Sequence, residues 1–155
     1  MRELNHKLKT GRTLKRVREI REQIAQLHVA QAHADVHRST EEEEVRESEL
    51  QSFDHELQAE ASDGMSMRSF MHYQELRGMH VAAVGQAREE RQSAEERVTE
   101  QRRLLVDATT QRRSAERLVS LISARRAVAF RRFEQKQADD MTCARFGQGD
   151  YDDAA

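Results

Sequence analysis

Apolar residues recur at intervals of three and four along most of this chain, the spacing of a helix that buries a single stripe. In the first half, Leu14, Val17, Ile20, Ile24 and Leu27 carry that stripe. It thins between Gln31 and Ser48, where only Ala32, Ala34, Val36 and Val45 are available, and resumes at Leu50, Phe53 and Leu57. The spacing predicts a first helix over about 13–61, with Gly11 fraying its start, although Leu4 and Leu8 extend the stripe if the helix continues through it. The second half is written in heptads with Phe70, Val84, Val98, Leu105, Val119 and Phe133 at one core position. Tyr73, Ala87, Ala94, Ala108, Ala115, Ile122 and Ala129 fall at the other. Arginines 77, 91, 112 and 126 interrupt the first set, so the seam of a helix over about 68–143 is thin and alanine-rich. Alanine lets two helices approach closely, and an arginine stem lies along such a seam while its head reaches water.

Between the two stretches, residues 61–67 (ASDGMSM) hold the only mid-chain cluster of small, polar and glycine residues. Asp63-Gly64 is a turn dipeptide, and Ser66, or less favourably Ser69, caps the helix that follows. A short loop between two long helices makes an antiparallel hairpin. The expected fold is therefore all-α, a coiled-coil hairpin over 1–145 with the second helix the longer. A helix of about 75 residues is about 110 Å long. Residues 128–143 would overhang the first helix, and the glycine- and aspartate-bearing tail 146–155 is expected to be disordered. Gly78 and Gly85 predict local flexibility just past the turn.

Composition sharpens this picture. Only 37% of the 155 residues are hydrophobic and 35% are charged, too little apolar material for a thick core. Proline is absent and Ala, Leu, Arg, Glu and Gln are abundant, which favours long exposed helices over disorder. One cysteine, Cys143, excludes an internal disulfide framework and fits a reducing compartment. The basic N-terminus has no apolar run of signal-peptide length and no segment is apolar enough to span a bilayer, so the expected location is the cytoplasm.

Charge is unevenly placed although the total is only −2. Residues 1–38 hold nine basic and four acidic residues, and 102–138 hold ten and three. Residues 39–64 hold one basic and ten acidic. A fold at Asp63-Gly64 brings the two basic segments together away from the turn and sets an acidic shoulder towards it.

Candidate chemistry is sparse. His33 and His37 have i, i+4 spacing but no HExxH motif or nearby cysteine, which favours ordinary surface histidines over a metal site. His28, His72 and His80 are equally unaccompanied. Glu41 to Glu44 reads as a solvated helix face first and a docking surface for a basic partner second. The arginine pairs 102-103, 112-113, 125-126 and 131-132 recur along one helix, but aromatic interleaving and zinc-finger or basic-zipper patterns are missing, which weighs against nucleic acid. With no phosphate loop, GxSxG elbow or Cys/His nucleophile arrangement, neither an enzyme nor a cofactor is expected.

The segment Phe130-Arg131-Arg132-Phe133-Glu134-Gln135-Lys136-Gln137-Ala138-Asp139-Asp140-Met141 resembles the C-terminal signature of the FliJ/YscO family, the central stalk proteins of flagellar and injectisome type III secretion. Met71-His72-Tyr73-Gln74-Glu75-Leu76 is similar to the aromatic-Gln stretch that opens that family's second helix. The resemblance favours the injectisome branch over the flagellar one. It implies a cytoplasmic stalk, peripheral to the secretion apparatus at the inner membrane, whose end carrying both termini enters the hexameric secretion ATPase. Lys15, Arg16, Arg18, Arg125, Arg126, Arg131, Arg132 and Lys136 would then meet the ring. Tyr73, Leu76 and His80 match the stretch that contacts the export gate, a membrane protein with a cytosolic domain. At His80 the matching family position can be apolar, and neighbouring Met79 is an alternative. Some members also bind secretion chaperones. On this reading ATP hydrolysis belongs to the partner and the chain is an elongated monomer, whereas the rival, a coiled-coil adaptor or scaffold unrelated to secretion, predicts a stable dimer.

Overall fold

The computed structural model describes the backbone of residues 2–149 and the side chains of 2–143. It contains two α-helices and, among the described residues, no strand: α1 is Arg2–Ser62 and α2 is Met67–Gly149. They pair as an antiparallel coiled-coil hairpin in which α2 is the longer helix. The chain packs as two units, a terminal unit of Met1–Glu22 with Ala108–Ala155 and a turn unit of Gln23–Asp107.

The reversal follows from local chemistry. Ser62 Oγ donates to the Ala59 carbonyl at 2.7 Å and the Asp63 N–H reaches the same carbonyl at 3.3 Å, using an acceptor that the helix end leaves free. Gly64 then takes a φ of 99°, which costs little without a Cβ. Ser66 starts α2 as a capping residue: its Oγ accepts the Ser69 backbone N–H at 3.1 Å and its carbonyl accepts the Phe70 N–H at 2.9 Å.

In the turn unit Ala32, Val84, Ala87, Ala94 and Val98 are buried, and Ala94 is completely so. In the terminal unit Leu8 and Ala115 are buried. The α2 members are seam residues of the heptad read from sequence. On α1 the seam is a different stripe from the expected one. Leu14, Val17, Ile20, Ile24 and Leu27 are 40–68% exposed, while Leu8, Gly11 and Ala32 are buried and Lys15, Arg18 and Glu22 half-buried. The physical reason is the ionic pairing with α2, which fixes the rotation of α1. Lys15 reaches Glu116 at 3.2 Å, Arg112 donates to Glu22 through Nε, and Arg18 donates to Gln111. The long stems of these residues line the thin seam, and the more apolar stripe lies beside it.

Gly11 also departs from expectation. It does not fray the helix, which begins at Arg2, but lies buried against α2, where a Cβ would stand 3.3 Å from Val119 Cγ2 and 3.7 Å from Ile122 Cδ1. Its small size admits those two branched side chains. At the other end α2 continues to Gly149, so residues 146–149 of the expected disordered tail are helical, and 150–155 lie outside the described residues.

Candidate functional site

Each unit carries one set of residues singled out by sequence. In the terminal unit, every described α2 side chain from Phe130 to Cys143 is exposed. Arg131, Arg132 and Lys136 stand on this run, and Arg125 and Arg126 lie exposed just before it. None of the five forms an ion pair with an acid among the described residues. Arg126 occupies a seam position, yet Arg112 in this unit has Glu22 as partner.

The expected α1 members divide. Arg16 is exposed. Lys15 lies between Glu19 at 3.4 Å and Glu116 at 3.2 Å. The hydrogen bond to Glu116 is the main cause that raises the Lys15 pKa, and the same bond is the largest that lowers the Glu116 pKa. Arg18 is half-buried and spends a donor on Gln111. Lys15 and Arg18 thus serve the hairpin itself, whereas Arg16, Arg125, Arg126, Arg131, Arg132 and Lys136 present charge outward.

The turn unit holds Tyr73, Leu76 and His80, all half-buried. Tyr73 and His80 face α1, where the Phe53 ring lies between them: its centroid is 5.7 Å from Tyr73 at 43° and 5.0 Å from His80 at 35°. The Glu60 charge, followed by desolvation, raises the Tyr73 phenol pKa. Polar His80 is accommodated by the contact of its ring with Phe53. Around these residues Met67, Phe70, Met71, Met79 and Val81 are exposed apolar side chains, with Met79 at 68%. Sequence reasoning named Met79 as an alternative to His80, and its side chain is the outward one.

The acidic block is partly used within the fold. Glu43 receives Arg88 at 3.2 Å and Arg91 at 2.5 Å, Glu47 receives Arg88 at 2.5 Å, and Glu41 meets His37 at 3.2 Å. Arg102 Nη2 lies 3.1 Å from His33 Nε2, within hydrogen-bond distance. Among the described residues no group of three His, Cys, Asp or Glu comes together to hold a metal ion. No helix among them is long and apolar enough to cross a membrane.

The geometry is that of a two-helix hairpin with exposed charged and apolar side chains, and the comparison that decides its kind covers nearly the whole chain: the family described as flagellar FliJ protein matches residues 9–150. The chain belongs to the FliJ family. FliJ proteins are non-catalytic components of type III protein export that associate with its ATPase and export gate. No curated protein and no solved structure matched the chain. The FliJ match spans both units, so the outward basic run of the terminal unit and the Phe53-centred cluster of the turn unit both fall inside it.

Proposed function

We propose that the chain is the central stalk of a type III secretion system, linking the hexameric export ATPase to the export gate. The observation that carries this reading is the exposed run 130–143 with Arg131, Arg132 and Lys136 lacking acid partners among the described residues, inside a family match to residues 9–150. Cationic side chains on a rigid helix suit a ring that offers carboxylates. Arg125, Arg126, Arg131, Arg132, Lys136 and Arg16 meet that ring, with Lys15 and Arg18 supporting the hairpin behind them. The stalk contributes no chemical step, since ATP hydrolysis belongs to the ring. At the turn unit, Leu76 and outward Met79 supply apolar contact for the gate, with Tyr73 and His80 holding the helix face through Phe53. Secretion chaperones are a further class of partner.

The test is ATPase stimulation by the full chain with Arg125, Arg126, Arg131 and Arg132 reversed to glutamate. Loss of stimulation supports the reading and unchanged stimulation refutes it. The assay uses an injectisome ATPase and a flagellar one.

A further inference from the structure

The two sides of the terminal unit differ in chemistry. One side is stitched by charge: Lys15 with Glu19 and Glu116, Arg112 with Glu22 and Glu116, and Thr109 donating to Glu22 at 2.9 Å. The other side carries fewer ion pairs, Lys7 with Glu3 among them, and an apolar strip. Leu14 and Val17 each stand one residue before a seam position of α1, namely Lys15 and Arg18. Leu118, Leu121 and Val128 each stand one residue before a seam position of α2, namely Val119, Ile122 and Ala129. Since the helices are antiparallel, stepping back one residue from the seam turns to the same side on both. These five residues therefore share one side, and they are 40–58% exposed.

A shallow groove opens on this side, lined by Ala124, Arg125, Val128, Ala129 and Arg132. Arg21, Arg125 and Arg132 also stand one residue before a seam position and rim the apolar strip. None has an acid partner among the described residues, while Glu19, Glu22 and Glu116 are engaged on the stitched side.

We propose that this apolar strip with its arginine rim docks an acidic amphipathic helix of a partner protein. Two antiparallel helices leave a trough between them that a third helix fills, its apolar stripe on Leu14, Leu118 and Leu121 and its carboxylates on the arginines. A second copy of the chain is a poorer occupant, because two-fold self-pairing sets the same arginine-rimmed patch against itself. A bilayer surface is also poorer, since the strip is Leu and Val without aromatic anchors. The inference goes beyond the stalk reading, for an apolar strip defines it and it holds whichever protein supplies the helix.

The experiment is fluorescence anisotropy of the full chain with a labelled synthetic peptide of about 20 residues, long enough to form a helix, with leucine on one stripe and glutamate on its flanks. Saturable binding is expected, weakened at least tenfold by Leu118→Ser with Leu121→Ser, and equally by Arg125→Glu with Arg132→Glu. Ile20→Ser, on the reverse side of α1, leaves it unchanged, and a peptide with lysine for glutamate binds at least tenfold more weakly. The arginine variant keeps the test valid if the serine variant loses its helical circular dichroism. No binding, binding indifferent to both variants, dimerisation through the strip, or preferential binding to phosphatidylglycerol vesicles overturns the proposal. The serine variant leaves the proposed ring arginines intact, so ATPase stimulation and peptide binding fail independently.

Discussion

Arg77 of α2 holds Asp54 of α1 with two hydrogen bonds, Nε to Oδ1 at 2.6 Å and Nη2 to Oδ2 at 3.3 Å. An arginine that interrupts an apolar seam is thereby matched by an acid on the facing helix, and the same holds for Arg91 with Glu43 and Arg112 with Glu22. These pairs favour one helix register over its neighbours, because a slip by one heptad sets Arg91 against Val36 or Leu50 and Arg112 against Lys15 or Val29. Reversing Arg77 to glutamate should lower the melting temperature, and adding Asp54→Arg should recover part of the loss. Thermal denaturation of the two variants and the double variant measures it, and additive losses would contradict the pairing.

The hydrogen bond from Arg77 depresses the Asp54 pKa, and that from Lys15 depresses the Glu116 pKa. A depressed carboxyl pKa contributes stability that is fully present above the ordinary carboxylate range, about pH 4 to 4.5. That contribution fades as pH falls through the lower folded values. Melting temperature should therefore be level from pH 7 to about 5 and fall below about 4. Asp54→Asn should flatten part of that acid limb, and circular dichroism melts across the range are the check.

The glycines should part company. Gly78 and Gly85 have nothing within 4 Å of an added Cβ, so alanine at either should stabilise the chain by roughly 0.5–1 kcal/mol through helix propensity. At Gly11 the contact with Val119 opposes that gain, and valine there should destabilise by about 1–3 kcal/mol through overpacking. Urea unfolding of the three variants measures the contrast.

Ala94 is fully buried on the seam, so Ala94→Leu should cost about 1–3 kcal/mol, whereas Ala82→Leu at an exposed position should change little. Urea midpoints compare them directly.

These cases show why α2 was legible in the sequence and α1 less so. Its alanine and branched positions keep a strict heptad from Tyr73 to Ala129, and the structure places that heptad on the seam. The turn was equally readable, because Asp63-Gly64 and Ser66 each perform a local task that a dipeptide or a cap reveals. On α1 the strongest apolar signal, Leu14 to Leu27, misled because the residues facing α2 include Lys15, Arg18 and Glu22. Only the identity of their partners on the other helix shows that these polar residues belong inside, and a single helix cannot display it. Gly11 misled for a related reason: its role is close approach to Val119, a contact distant in sequence. Among the candidate site residues, the outward set from Arg125 to Lys136 was legible from basic residues repeated towards the C-terminal end of α2. The inward placement of Tyr73 and His80 around Phe53 was not, since the same residues suit either side of the seam.

Site-specific photo-crosslinking tests the central claim most directly. A photoreactive phenylalanine analogue at Arg131 of the full chain, mixed with the hexameric export ATPase and nucleotide, should give an adduct mapping to the ring. The same analogue at Glu49 of the turn unit should give none. Adducts from both positions alike, or from neither while binding is retained, would contradict the account.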